Sequence, residues 1–244
     1  HVARLTLDSP HNRNALSGRL VEQLHAGLRE AAADPGVRVL VLGHTGGTFC
    51  AGADLSEASG GDPFESTAAR TRELATVLRA IVESPLPVVA AIDGHVRAGG
   101  LGLVGACDIA VAGPRSTFAL TEARIGVAPA IISLTLLPKL SPRAAARYYL
   151  TGETFSAERA AEIGLITLAA EDVTAAVDGL VADLGRGSPQ GLAASKALTT
   201  ASILAGFDRD AERLAVESAR LFISDEAREG MLAFLQKRPP NWAQ

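Results

Sequence analysis

The chain has 244 residues, of which 48% are hydrophobic and 20% charged, and its formal net charge is -4. That length holds one large or two small domains with an ample core, and the composition excludes a disordered chain. The mild acidity gives no reason to expect nucleic acid or an anionic membrane as partner, and no apolar run approaches the ~18 residues of a membrane span.

Val2 to Leu7 alternates apolar and polar residues, the pattern of an edge strand. Ser9-Pro10-His11-Asn12-Arg13-Asn14 is a turn cluster, and Ser17 caps a helix through Ala33 that Asp34-Pro35-Gly36 ends. Val37 to Leu42 is an apolar, β-branched strand leading into a small-residue loop, Gly43 to Leu55, in which Asp54 favours the start of a turn. Ser56 to Pro63 is polar loop. A helix follows from about Pro63 to Glu83, with Leu74, Val77, Leu78, Ile81 and Val82 at helical spacing.

Pro87 to Ile92 is a short buried strand, and the glycine-rich run from Asp93 to Asp108 releases into an apolar helix through Leu101, Leu103, Val104 and Ala106. A strand, a glycine turn and a helix together aim free N–H groups at a ligand, although glycines needed only for tight packing read equally well. Two such loops, after residues 42 and 92, can each supply one N–H to the same oxygen. Two fixed donors of that kind form an oxyanion hole.

Ile109 to Ala112 and Ser116 to Leu120 are further strands, separated by Gly113-Pro114. Glu122, read alone, is a carboxylate at a helix start or a partner for Arg124. From Ser141 onward the chain is mostly helical: Ser141-Pro142 and Ser156-Ala157-Glu158 open two helices, and Pro189–Ala205, Asp208–Leu221 and Asp225–Gln236 are three more. Cys50 and Cys107 make no disulfide framework and read as reduced thiols of a cytoplasmic protein, Cys50 as a small buried hydrophobe. His11, His25 and His44 lack ligand spacing, so no metal site is expected. No Gly-x-Ser-x-Gly elbow supports a serine hydrolase.

The motifs Asn14-Ala15-Leu16-Ser17, Phe49-Cys50-Ala51-Gly52-Ala53-Asp54-Leu55, Ala91-Ile92-Asp93-Gly94, Ala98-Gly99-Gly100-Leu101-Gly102-Leu103, Cys107-Asp108-Ile109, Leu150-Thr151-Gly152 and Lys237-Arg238-Pro239-Pro240-Asn241-Trp242 run nearly end to end. In this order and spacing the chain resembles the enoyl-CoA hydratase/isomerase family, the crotonase superfamily. The resemblance implies an α/β fold of the ClpP/crotonase type: a spiral of ββα repeats over residues 1–187 holding a coenzyme A thioester site, then a helical trimerisation segment over 188–244. A homotrimer or dimer of trimers follows from it, as does an acyl-CoA substrate with no cofactor beyond coenzyme A itself.

Carried over residue by residue, the resemblance makes the N–H groups of Ala53 and Gly99 the oxyanion hole and Glu122 a catalytic carboxylate. Arg13 and Ala15 lie along coenzyme A, and Lys237 reaches the coenzyme A of a neighbouring subunit. Ala51, Asp54, Leu55, Ser56, Gly100, Thr121 and Pro129 line the substrate, and the region between residues 56 and 83 covers the acyl chain.

The chain departs from the family at three places. Typical hydratases carry a second glutamate where Gly102 stands. Arg97 replaces an apolar residue and either steadies a carboxylate on the substrate or, the preferred reading, pairs with an acid such as Glu122 or Asp108. Ala130-Ile131-Ile132-Ser133-Leu134 replaces a glycine-rich stretch and makes the site bulkier. The expected activity is hydration or Δ3,Δ2 double-bond shift of an enoyl-CoA through a stabilised enolate, the missing glutamate favouring the shift. A catalytically weak or dead acyl-CoA-binding protein, or a thioester hydrolase or decarboxylase on the same scaffold, is the alternative.

Overall fold

The structure is a computed structural model that describes residues 1–54 and 61–243. Strand β1 (Val2–Leu7) is followed by α1 (Gly18–Ala33), β2 (Val39–His44), β3 (Thr48–Cys50), α2 (Pro63–Glu83), β4 (Val88–Ile92), β5 (His95–Arg97), α3 (Gly99–Ala106), β6 (Ile109–Ala112) and β7 (Thr117–Ala119). A 3-10 turn over Glu122–Ile125 leads to α4 (Ser133–Leu136), α5 (Pro142–Thr151), β8 (Phe155–Ser156), α6 (Ala157–Glu162), β9 (Leu168–Ala169), α7 (Val173–Leu184), α8 (Pro189–Phe222) and α9 (Asp225–Leu235).

These strands form two sheets. The larger runs in the order β1-β2-β4-β6-β9 and is parallel throughout; the smaller runs β3-β5-β7-β8, with β8 antiparallel to β7. The chain steps from the large sheet to the small one and out through a helix, as in β2-β3-α2 and β4-β5-α3, which gives the spiral of ββα repeats. The steps through β3 and β5 differ from the sequence reading, which took residues 43–55 as loop and 93–98 as a turn feeding directly into helix. Both strands are three residues long, too short for an alternation to register.

Alternation along the large sheet's strands separates two cores. Val39, Val41, Val89 and Val111 pack against α7 through Val177. Leu40, Leu42, Val88, Ala90 and Ile92 point the other way, into the main core with α1, α2 and α3. A parallel sheet covered on both faces buries successive residues, and residues 39–42 of β2 are all buried. The strand expected from Val37 starts at Val39, because Val37 N–H closes a turn on the Asp34 carbonyl.

The helix starts follow capping chemistry. Ser17, Asp62, Ser141, Ser156 and Ser188 each accept a backbone N–H of the first turn. Helix α2 spans the expected Pro63–Glu83. Two helices expected around Gly206 are instead one, α8, whose 34 residues run unbroken. Ile203 and Phe207, one turn apart, are buried in the main core, and that burial outweighs the roughly 1 kcal/mol a mid-helix glycine costs. No helix among the described residues is long and apolar enough to cross a membrane.

Helix α8 packs along α2, and one buried ion pair joins it to the sheets. Lys196 Nζ donates to the Ile81 carbonyl (2.8 Å), the Leu86 carbonyl (2.9 Å) and Asp108 Oδ2 (2.8 Å), and the same oxygen accepts the Val88 N–H at 2.8 Å. All three ammonium protons are used. Burial pulls the Lys196 ammonium below its ordinary pKa, and Asp108 opposes the fall. Lys196→Met keeps the stem and strands the carboxylate, so urea unfolding is expected to show a loss of about 3 kcal/mol. Adding Asp108→Asn should recover part of it. A loss under about 1 kcal/mol would show the pair to be dispensable.

Candidate active site

Three parallel strands of the small sheet end side by side. Cys50 of β3 pairs with Val96 of β5, and Arg97 of β5 with Ala119 of β7. Two or three residues past each strand end come Ala53, Gly99 and Glu122, so pairing alone gathers these expected site residues at one edge.

The first two ends touch. A Cβ on Gly52 would stand 2.8 Å from the Ala98 Cβ and 3.3 Å from Gly99 N, and Gly52 has φ +90°. Ala98, just before α3, holds φ +46° and ψ -120°, a backbone state costing a non-glycine residue about 1–3 kcal/mol. It turns the chain so that Gly99 N–H opens the helix without an intrahelical acceptor. Among the described residues neither Gly99 N–H nor Ala53 N–H meets a backbone acceptor outside the regular elements. Gly100 serves packing: a Cβ there would lie 2.8 Å from Cys50 Cβ. Cys50 is itself buried, its thiol pushed up to about 12 by burial, which rules out a thiolate nucleophile at neutral pH.

Asn14 shapes the loop beside them. Fully buried, it donates Nδ2 to the Thr45 and Thr48 carbonyls at 3.0 and 2.8 Å and accepts the Ser9 N–H at 2.6 Å. Arg13 and Asn14 both have left-handed φ, 60° and 53°. The loop joins the β3 end through Leu16 N–H to the Gly52 carbonyl (2.7 Å) and Ala51 N–H to the Arg13 carbonyl (3.1 Å). Ala15 is buried beneath it and the Arg13 side chain is exposed. Asp54 accepts Asn12 Nδ2 at 3.0 Å. The expected Leu55 and Ser56 lie outside the described residues. Lys237 is exposed past the end of α9.

Glu122 starts the 3-10 turn and is 8% exposed. Its Oε2 is buried without a hydrogen-bond partner among the described residues. Burial pushes its pKa up to about 7, opposed only by its own backbone N–H. Thr121 accepts the Arg124 N–H at 3.0 Å, and Val127 N–H closes on the Glu122 carbonyl at 3.0 Å, ahead of buried Pro129. Arg124 is no partner for this carboxylate: its Nε donates to the Thr151 carbonyl at 3.0 Å and ties the turn to α5. Helix α9 holds the other side, where a Cβ on Gly230 would lie 2.5 Å from the Ile125 carbonyl carbon.

The expected pairing of Arg97 with Glu122 or Asp108 does not occur. Arg97 donates to the Val96 carbonyl (2.8 Å), the Thr117 carbonyl (2.7 Å) and Thr117 Oγ1 (2.9 Å), all neutral acceptors. Asp108 is taken by Lys196. Arg97 lies on β5, a strand absent from the sequence reading, and its register turns the side chain toward β7.

The space beside Gly102 is full. A Cβ there would stand 2.5 Å from Ile132 Cγ2, 3.0 Å from Ile132 Cβ and 3.3 Å from Leu78 Cδ1. Ile132 is 3% exposed and Leu78 fully buried. The edge therefore combines two N–H groups with no such backbone acceptor among the described residues, one buried carboxyl of near-neutral pKa and an apolar wall. That set can stabilise negative charge on a carbonyl oxygen and move a proton beside it.

The chain matches the enoyl-CoA hydratase/isomerase family over residues 1–244. The crystal structure of an enoyl-CoA hydratase from Mycobacterium avium is 77% identical, with a TM-score of 0.94 over 99% of this chain and 93% of that one. An enoyl-CoA hydratase structure from Shewanella pealeana is 32% identical, with a TM-score of 0.76 over 99% and 92% of the two chains. The 2,3-dehydroadipyl-CoA hydratase of Escherichia coli is 32% identical over 249 residues, covering 99% of this chain and 94% of its own. The fold is the crotonase fold, and the chain belongs to the enoyl-CoA hydratase/isomerase family, whose members act on acyl-CoA substrates.

Proposed function

We propose that this protein shifts the double bond of a 3-enoyl-CoA into conjugation, with Glu122 as the one proton carrier. The thioester oxygen sits between Ala53 N–H and Gly99 N–H. The Glu122 carboxylate removes a proton from C2, the electron pair moves onto the thioester oxygen, and the two N–H groups hold the resulting dienolate. As the enolate collapses, C4 takes the proton back from Glu122, leaving the bond between C2 and C3. No water enters the balance, and coenzyme A arrives as part of the substrate, with no other cofactor required.

The observation that carries this reading is the filled volume at Gly102. Adding water to an enoyl thioester calls for a second acid–base group to hold and activate that water, and the resemblance puts that group at this position. Ile132 and Leu78 occupy its space with hydrocarbon. The related proteins named hydratases favour hydration as the second reading, and product analysis separates the two. Arg13, Ala15, Ala51, Asp54, Leu55, Ser56, Gly100, Thr121, Pro129 and Lys237 complete the proposed substrate contacts. Leu150, Leu198, Phe234 and Leu235 are exposed at 77%, 82%, 61% and 68%, which supports the proposed assembly into trimers, since large apolar residues of the helical third would otherwise face water.

Incubation with a 3-enoyl-CoA should yield the conjugated isomer, while crotonyl-CoA should be hydrated at a small fraction of that rate. Rapid hydration would overturn the reading. Gly102→Glu alone should fail to raise hydration, because its Cβ meets Ile132, and should destabilise by about 1–3 kcal/mol; Ile132→Gly would have to accompany it.

Proton abstraction needs the carboxylate, so kcat/KM for the shift should climb with pH and level off above about 7. Glu122→Gln should cost about 10²–10⁴ in turnover. The same burial sets the stability. Between the ordinary value of 4.5 and the raised value of about 7, the folded protein holds the proton that the unfolded chain has lost, so stability falls as pH rises through that window. Glu122→Gln escapes the fall and should unfold later than the parent at pH 8, by at most about 3 kcal/mol, and no later at pH 4. Equal urea midpoints at pH 8 would show Glu122 to be solvated.

A further inference from the structure

One side chain in the loop before α1 secures the chain entering β3, and the proposed reaction does not touch it. Asn14 is fully buried. Its Nδ2 donates to the Thr45 and Thr48 carbonyls at 3.0 and 2.8 Å, and its Oδ1 accepts the Ser9 N–H at 2.6 Å. These partners leave the amide one orientation, since a carbonyl only accepts and an N–H only donates. Thr45 follows β2 and Thr48 opens β3.

The residues on either side of Asn14 take the other end of that strand. The Arg13 carbonyl accepts the Ala51 N–H at 3.1 Å, Leu16 N–H donates to the Gly52 carbonyl at 2.7 Å, and Leu16 forms a parallel bridge with Ala53. Residues 13–16 are thus bonded to the chain before and after β3, up to the residue whose N–H is read as an oxyanion donor. The loop follows this path through two successive left-handed residues, Arg13 and Asn14, at φ 60° and 53°. Such residues persist only where their surroundings hold them, and the buried amide supplies three of the bonds that do.

We infer that Asn14 is a positioning residue for the oxyanion hole: its amide fixes the 13–16 loop against the turn between β2 and β3, and the backbone of that loop sets the direction of the Ala53 N–H. This rests on the reading of the Ala53 and Gly99 N–H groups as donors to the thioester oxygen, and deepens it. The Gly99 donor is placed by other means, the Ala98 conformation and the pairing of β5 between β3 and β7. Ala53 stands past the end of a three-residue strand, so its N–H needs a support of its own. Donors stabilise a developing oxyanion only where they already point at it.

Asn14→Asp tests this by exchanging one group. Aspartate keeps the shape, the tolerance of left-handed φ and the acceptor for Ser9 N–H, but its anion turns lone pairs toward two carbonyls. Protonated, it donates to one of them, and burial among acceptors favours that form. The ionisable side chains around the loop are common to parent and variant. Asp8 accepts Thr45 Oγ1 and Asp54 accepts Asn12 Nδ2, while His11 and Arg13 are exposed. His44 faces the Thr45 carbonyl with Nδ1 at 3.3 Å and accepts the Asp93 N–H with Nε2.

The readout is the absorption of bound 3-phenylpropenoyl-CoA, which moves to longer wavelength when donors polarise its thioester carbonyl. It is measured per bound ligand, relative to the parent at each pH, in the full chain. Asn14→Asp should lose most of the shift at pH 8 and regain most of it at pH 5, with circular dichroism unchanged. Turnover of a 3-enoyl-CoA at pH 8 should fall by about 10–10² in kcat, with KM moving far less. A full shift at pH 8 in the folded variant, or an equal loss at both pH values, would overturn the inference. Should Asn14→Asp not fold, Asn14→Gly keeps the left-handed backbone without the amide; it should lose the shift at both pH values, and a full shift there overturns the inference as well. A parent that shows no shift removes the oxyanion hole and this role with it. A parent that shows the shift yet leaves 3-enoyl-CoA unchanged sinks the proposed reaction alone, and the loss in Asn14→Asp still supports the positioning role.

Discussion

Two stretches of main chain meet with only the Ala98 methyl beside them at Gly52 and Ala98–Gly99, and the rest of the site is arranged around that contact. Backbone can approach backbone this closely only if one residue lacks a Cβ and the other adopts an unfavourable conformation. Gly52 supplies the first and Ala98, at φ +46°, the second. Such strain persists only where its surroundings over-determine it. Here β5 is held on both sides by β3 and β7, and Cys50 is packed under Gly100. The sheet thus fixes where two backbone N–H groups emerge, and donors that do not reorganise as charge develops are the effective ones.

The carboxyl is placed by the opposite device. Glu122 is buried with no counter-charge among the described residues, and the turn that carries it is clamped from outside by α5, through Arg124 and Thr151, and by α9, through Gly126 and Gly230. An uncompensated buried carboxylate costs stability once ionised. The clamps therefore have to come from elements far along the chain, and α8 in turn is fastened to the sheets by the Lys196–Asp108 pair. The helical last third is thereby connected physically to the turn that carries Glu122.

Much of this was legible in the sequence, and what was missed has a common cause. Long periodic or apolar segments announced themselves: α2 has the expected limits, β1, β2, β4 and β6 of the large sheet fall where alternating or apolar runs stand while the two-residue β9 went unread, and serines sit at the helix starts they cap. The glycine loops showed as small-residue turns after apolar strands, whereas the role of Glu122 came through the resemblance, whose motif marks a carboxylate there. The three-residue strands β3 and β5 carry no detectable alternation, yet they bring the loops together. Missing β5, the sequence reading gave Arg97 a charged partner, when its register points it at Thr117. Gly206 read as a helix end because its neighbours' burial, which carries α8 through it, is a tertiary fact. Asn14 looked like turn composition; only the folded chain shows its amide filling three hydrogen bonds.

The choice between two reactions of one enolate then becomes a packing question. Hydrating and isomerising enzymes share the need for a stabilised thioester oxygen and a carboxyl beside it; they differ in whether water is held within reach. At Gly102 the absence of a side chain leaves no cavity for water, because Ile132, within the stretch 130–134 that the resemblance matches to a glycine-rich one, fills the space. A void there would accept a water only with polar partners to hold it, and the atoms nearest a Cβ at Gly102 are carbons of Ile132 and Leu78. The two departures are a matched exchange, a small residue for a large one and the reverse across one contact. Their joint effect is an apolar wall at this point, the feature on which the proposed double-bond shift rests.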